Sequence, residues 1–187
     1  DNLFLKQIVR GKGAIANGDL KGNRFTITIR TPEAIAHARA HAIREKLNAI
    51  KRDGFWNFFS FKRFGTPRLI SHWLGLLLIK GKYEEVVKTF LTYAAPRELP
   101  YFKNIRQEIA ARWSHWSEIL ELIESFPFHF HLELQLIRQL GSHTTDFLGA
   151  LRTIQDQIRL WMYAYDCFLF NRKLSELIKA DEVPTAL

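Results

Sequence analysis

Proline and glycine punctuate the chain after residue 65, and this punctuation constrains the fold more than any other feature. Between the breaks, apolar residues recur every three to four positions, the period of a helix with one buried face. "TPRLISHWLGLLLIKG" reads as a helix opened by Pro67 and closed near Gly81. "KYEEVVKTFLTYAAP" reads as a second, ended by Pro96. "YFKNIRQEIAARW" and "SHWSEILELIESF" give two more, and Pro127 interrupts the pattern. "HLELQLIRQLG" and "TTDFLGALRTI" continue it, and "QDQIRLWMYAYDCFLFNRKLSELIKA" reads as one long final helix. There is no internal repeat at a solenoid period and no low-complexity segment.

The first third follows a different grammar. "LFLKQIVRG" is rich enough in apolar residues for a short strand, and "RFTITIR" alternates clearly. Phe25, Ile27 and Ile29 fall on one face and Arg24, Thr26, Thr28 and Arg30 on the other, the pattern of a half-buried strand with a cationic outer side. The Gly- and Asn-rich "NGDLKGN" before it reads as a turn. A helix then opens with Thr31 as N-cap, Pro32 in the first position and Glu33 at the positive end of the dipole. Its stripe is Ile35, Ala38, Ala42, Ile43, Leu47 and Ile50, and Gly54 suits a left-handed exit.

Charge divides the chain at the same place. The formal net charge is +8, and residues 1–65 carry 13 Lys+Arg against 5 Asp+Glu. The excess therefore lies wholly in the first third, as either a solvated basic face or a surface for a polyanion. No run of eighteen apolar residues is present, so no membrane-spanning helix is expected. The single cysteine, Cys167, excludes an internal disulfide and reads as a small buried hydrophobe. Seven histidines invite a metal site. His129 and His131 in "FHFH" would share one strand face, but no further ligand completes a shell, and both read as surface or boundary residues. His115 lies between Trp113 and Trp116 and reads as helix packing. P-loop, G-x-G-x-x-G and G-x-S-x-G signatures are absent, which leaves nucleotide-dependent and serine-hydrolase chemistry without support.

Two stretches remain, "LKGNRFTITIR" and "GFWNFFSFKRFG". Each sets an Asn close to a Phe, with cations nearby. An Asn amide can fix a neighbour or read a base edge, a Phe ring can stack on a base, and Lys or Arg can hold phosphate. For Phe58, Phe59 and Phe61 together, core packing is the better-supported alternative. For Asn23 and Asn57, turn geometry and a binding role stand level.

These stretches resemble the tRNA pseudouridine synthase D family. Residues 20–30 look like its G-N-x-F strand motif. Residues 54–65 look like its G-x-x-N-Y-F-G-x-Q-R-F-G loop, with Gly54, Asn57, Phe59, Arg63, Phe64 and Gly65 in register. "AYDCFLFNRKLSELI", residues 164–178, looks like its A-x-Q-S-x-x-F-N-x-x-L-x-x-R-I helix. Lys62 stands where Gln is usual, Ser60 where Gly is usual, and Asp166–Cys167 where Gln–Ser is usual. The resemblance implies isomerisation of a uridine in tRNA to pseudouridine, without a cofactor or metal, on a base extruded from its stack. It implies that Phe25 stacks on the uracil and that Asn23 supports the catalytic aspartate. Asn57, Lys62, Arg63 and Phe64 would bind substrate, Lys21 and Arg24 would meet the RNA backbone, and Asn171 would tie the late helix to the catalytic core. The family's G-x-K-D aspartate motif has no match in residues 1–20, and neither Asp1 nor Asp19 is assigned that role.

The expected fold is α+β and predominantly helical, with a small strand portion. Residues 1–65 are expected to be part of a catalytic core, 66–150 a helical insertion, and 151–187 a return helix to the core. The expected function is a cytoplasmic tRNA pseudouridine synthase, present here as a fragment or truncated form whose nucleophilic aspartate lies upstream. A non-catalytic RNA-binding relative is the alternative, and a helical protein–protein adaptor is a third reading, carried by the neutral, Trp- and Leu-rich region 66–150.

Overall fold

The computed structural model describes residues 32–180 and, before them, only residues 13, 16, 18, 19, 21, 22, 24–26 and 28. The chain divides into two compact units, Asp1–Phe55 and Trp56–Leu187.

In the first unit the regular element is α1, Glu33–Asp53. It ends as its sequence suggests: Lys51 and Arg52 occupy the last turn, and Gly54 leaves with φ 77°, its N–H donating to the Ile50 carbonyl at 2.8 Å. That positive φ is the conformation in which glycine alone meets no Cβ penalty. Thr31, expected as the cap, lies outside the described residues. Ile43, Leu47 and Ile50 of the expected stripe are exposed. The strand expected over residues 24–30 is not seen among its described members: 24–26 and 28 form no regular element, and Phe25 is 79% exposed rather than turned inward. A strand exists only through an edge that pairs with it, and none of the described residues supplies one.

The second unit is helical. A 3₁₀ turn, Phe61–Phe64, leads to α2 (Ser71–Ile79), α3 (Tyr83–Thr92), α4 (Pro100–Ala111), α5 (Trp116–Glu124), α6 (His131–Ser142), α7 (Phe147–Arg152) and α8 (Gln155–Lys179). Local proline and capping signals set several of these bounds. Pro100 occupies the first turn of α4, where its missing N–H costs nothing. Asp146 caps α7, its carboxylate accepting from the Gly149 N–H at 2.8 Å. The exception is α2, which begins four residues after Pro67: residues 66–68 form a turn and Leu69 has φ 57°, outside the right-handed helical region. His129 and His131 share no strand face either. Residues 127–130 turn, His131 opens α6, and both side chains are exposed.

The core is apolar and continuous from α2 to α8. Leu74, Val87, Leu91, Ile109, Ile119 and Leu140 are buried in it, with Trp161 of α8 packed on Phe90. Trp113 and Trp116 meet edge to face at 5.0 Å, with His115 exposed between them. Cys167 is buried and free, as a small hydrophobe. Gly75 lets α2 and α8 approach closely: a Cβ there would lie 2.3 Å from the Trp161 carbonyl oxygen.

One charged cluster is buried among these helices. The Arg106 guanidinium bonds Glu98 at 2.7 Å and Glu133 at 3.3 Å, and all three side chains are 6% exposed. Arg106 also donates to the carbonyls of Phe90 and Leu91, at 3.3 and 3.2 Å. Arg68 donates to those of Thr89, Phe90 and Tyr93. Two cations thus gather on carbonyls at the end of α3, among them those of Phe90 and Leu91, and two carboxylates balance the cations. Burial, with Arg106 alongside, lowers the Arg68 pKa to about 10, which leaves it charged at neutral pH.

Candidate functional site

The aromatic stretch lies on the surface of the second unit. Ser60 is extended (φ −89°, ψ 175°), and the Arg63 N–H donates back to its carbonyl at 3.0 Å, which closes the 3₁₀ turn. Gly65 ends the turn in the left-handed conformation, φ 82° and ψ 68°. A Cβ at Gly65 would stand 2.4 Å from the Ser71 hydroxyl, and the left-handed backbone favours glycine there.

Asn171 of α8 fixes this loop. Its side-chain oxygen accepts from the Phe59 N–H and its amide nitrogen donates to the Phe59 carbonyl, each at 2.9 Å. An exposed loop has no sheet or helix partner for its own backbone, and one amide here supplies both missing groups. The Phe59 ring lies edge-on to Phe170 at 5.4 Å, and the Arg63 guanidinium sits 5.6 Å from its centre.

Core packing of the three rings does not hold. Phe58, Phe59 and Phe61 are 40%, 38% and 61% exposed. The helices beneath already close the core with Leu and Ile side chains, so the rings lie along the surface. Phe64 is half-buried and meets His72 edge-on at 5.3 Å. His72 stacks on Phe168 at 4.9 Å, and its buried Nδ1 has no hydrogen-bond partner. Burial lowers its pKa from 6.5.

Two cavities flank the clamped loop. The first, about 500 Å³, is lined by Phe59, Ser60, Lys62, Arg63, Gly65 and Ser71, with Gln157 and Leu160 of α8 forming its other wall. The second, about 460 Å³, is bounded by Phe58, Phe64, Phe168, Asn171, Arg172 and Lys179. In the second, Arg172 pairs with Glu176, 3.7 Å away, whereas neither Lys62 nor Arg63 has an ion-pair partner among the described residues.

The structure therefore brings Lys62, Arg63 and Phe64 onto one loop, the first two at one cavity and the third at the other. Asn57 is exposed and bounds neither cavity. Lys21, Arg24 and Phe25 are exposed in the first unit, and Asn23 lies outside the described residues. Ser71 was not singled out in the sequence. It lies six positions beyond the motif's last glycine, and only folding brings its hydroxyl to the cavity wall. Among the described residues no group of three or more His, Cys, Asp or Glu could hold a metal ion, and no helix is long and apolar enough to cross a membrane.

Comparison with known proteins defines the class first. A helical arrangement of the same kind occurs in the crystal structure of the "Putative tRNA pseudouridine synthase D (TruD)" from Methanosarcina mazei, with a TM-score of 0.67, 22% identity, and coverage of 82% of this chain and 35% of that one. At that identity the likeness establishes the fold. The family model "tRNA pseudouridine synthase D (TruD)" matches residues 1–185, and the chain belongs to that family. The "Probable tRNA pseudouridine synthase D" of Methanopyrus kandleri is 35% identical over 173 residues, covering 90% of this chain and 40% of the relative. That of Thermococcus gammatolerans is 33% identical over 172 residues, covering 89% and 38%. The chain thus spans about 40% of the length of the curated relatives it matches.

Proposed function

We propose that this chain forms the RNA-binding wall of a tRNA pseudouridine synthase that isomerises uridine to pseudouridine in tRNA. The observation that carries the reading is the loop held by Asn171, which presents Lys62 and Arg63, with no ion-pair partner among the described residues, beside an exposed phenylalanine at a cavity. Family membership supplies the reaction. In it the N1–C1′ glycosidic bond breaks, the uracil turns, and a C5–C1′ bond forms. A proton leaves C5 and one is gained at N1, so atoms balance without a redox partner or cofactor.

In this reading Phe25 stacks on the extruded uracil and Asn23 steadies the catalytic aspartate, which a G-x-K-D segment outside residues 1–187 supplies. Asn57, Lys62, Arg63 and Phe64 shape the pocket, while Lys21 and Arg24 meet phosphates. The strand over residues 24–30 would complete a sheet with segments outside this chain. Residues 1–65 and 151–187 would belong to the catalytic core, with 66–150 as its helical insertion.

The test is tRNA binding by the 187-residue chain at two salt concentrations, alongside pseudouridine formation by the longer protein carrying Phe25→Ala. Salt-dependent binding by the chain is expected. For Phe25→Ala, lost turnover with tRNA affinity largely kept is expected, because one stack is removed and the phosphate contacts remain. Near-normal turnover would remove Phe25 from the pocket, and salt-independent or absent tRNA binding would remove the RNA reading itself.

A further inference from the structure

The wall of the first cavity carries a feature that base stacking does not require. Ser71 is 8% exposed, lines the cavity, and its hydroxyl has no hydrogen-bond partner among the described residues. It is also the first residue of α2, whose start has no side-chain cap and no acidic residue in its first turn. A helix start presents N–H groups that its own turns cannot satisfy, together with the positive end of the dipole. Gly65, which lacks a Cβ that would strike the Ser71 hydroxyl, leaves the backbone close on one side. Lys62 and Arg63 line the same cavity, with Ser60 and Phe59. No carboxylate lines the cavity. The hydroxyl of Ser71, with no partner among the described residues, an uncapped helix start and two cations with no ion-pair partner among those residues converge on one hollow, and all four are donors or positive.

We propose that this cavity is a seat for a phosphoryl oxyanion, filled in the working protein by a backbone phosphodiester of the bound RNA. The occupant rests on the RNA reading given above; the seat itself rests on Ser71, the start of α2 and the two cations. Ser71 Oγ and the first N–H groups of α2 donate to the non-bridging oxygens, while Lys62 and Arg63 neutralise the charge from the mouth. Phe59, held by Asn171, leaves its edge available to the attached nucleoside. The second cavity does not compete for this role, since Glu176 already engages its Arg172.

The test follows backbone amide signals of the full chain by NMR while inorganic phosphate or a single-stranded RNA pentanucleotide is added, with chloride as the control. The expected result is that the amides of Ser71, His72 and Trp73 shift with both ligands and not with chloride. Ser71→Ala is expected to weaken both ligands about fivefold. Lys62→Gln, a surface change that leaves the fold intact, is expected to weaken RNA at low salt more than at high salt. If RNA binds while the Ser71–Trp73 amides stay still, or if Ser71→Ala binds as tightly as the parent, the seat is overturned and the RNA reading survives. If phosphate moves those amides and RNA binds nowhere, the seat stands for free phosphate and the RNA reading falls. If neither ligand moves them, the seat is overturned.

Discussion

The side-chain amide of Asn171 pairs with both backbone groups of Phe59, a residue 112 positions earlier, with two bonds of 2.9 Å. This is the geometry of one rung of a β-ladder, made by a side chain. It converts a surface loop with no regular structure into a fixed platform for Lys62 and Arg63. Replacing Asn171 by Ala removes both bonds and leaves the Phe59 groups to water. A loss of about 1–2 kcal/mol is expected, since the site is open enough for water to replace part of what is lost. Hydrogen exchange at the Phe59 amide should quicken while amides in α3 and α6 stay protected. Unchanged exchange at Phe59 would show that the loop holds its place without the clamp.

Gly75 sits where α2 crosses α8, with the Trp161 carbonyl oxygen 2.3 Å from where a Cβ would be. The obstacle is backbone, which cannot swing aside as a side chain could. Although Ala is the better helix former, Gly75→Ala is expected to destabilise by about 1–3 kcal/mol through overpacking. A urea titration should show a lower midpoint with an unchanged slope. A stabilised variant would mean that the helices part at little cost.

The helices were legible because their signals are local. Gly54 and the apolar period of α3 act within a few residues of where they stand. The start of α2 lies later than the sequence suggests because Pro67 looks like a first-turn proline, while Leu69, at φ 57°, cannot continue a right-handed helix. The rings at 58, 59 and 61 were expected inside because aromatic residues usually are, and local sequence does not say that a core is already full. The Asn171 tie was implied by family resemblance alone, since no spacing rule links positions 112 apart. Ser71 carried no signal: an isolated serine becomes notable only once folding buries it beside two cations.

The buried Arg106–Glu98–Glu133 cluster gives an asymmetric prediction. Arg106→Met takes away the cation bonded to both carboxylates and leaves the two of them to Arg68 alone, and a loss of about 3–5 kcal/mol is expected. Removing one charge of each sign, as Arg106→Met with Glu98→Leu, should cost less than the single change, because Arg68 and Glu133 then still balance. Arg68 still pairs with the carbonyls of Thr89, Phe90 and Tyr93 and keeps the end of α3 satisfied. Thermal midpoints of the two variants decide the matter. A double variant less stable than Arg106→Met would show that the ionic cluster itself holds the helices together.

His72 links stability to pH. Burial among Phe64, Trp73 and Phe168 depresses its pKa below 6.5 in the folded chain. The unfolded chain therefore takes up a proton first as pH falls, and protons favour unfolding. Its contribution is fully present above the unfolded value of about 6.5 and declines as pH falls from there towards the depressed folded value. Urea midpoints between pH 7.5 and 5.5 should fall in the parent and fall less in His72→Phe. Equal slopes in the two proteins would show that other groups set the pH dependence.

Arg63 and Lys62 are adjacent, yet the geometry gives them different duties. Arg63 lies 5.6 Å from the centre of the Phe59 ring and is thereby held at the cavity, whereas Lys62 has no such contact. A positioned cation loses less side-chain entropy on meeting a phosphate than a free one does. Arg63→Ala should therefore reduce tRNA affinity more than Lys62→Ala, although each removes one positive charge. The dependence of log affinity on log salt should fall by about 0.7–0.9 in either variant, the signature of one fewer phosphate neutralised. Titrations at three salt concentrations separate the two quantities: the slopes should match and the intercepts differ. Equal intercepts would mean that the ring does nothing to position Arg63, and an unchanged slope in Arg63→Ala would take that residue off the RNA altogether.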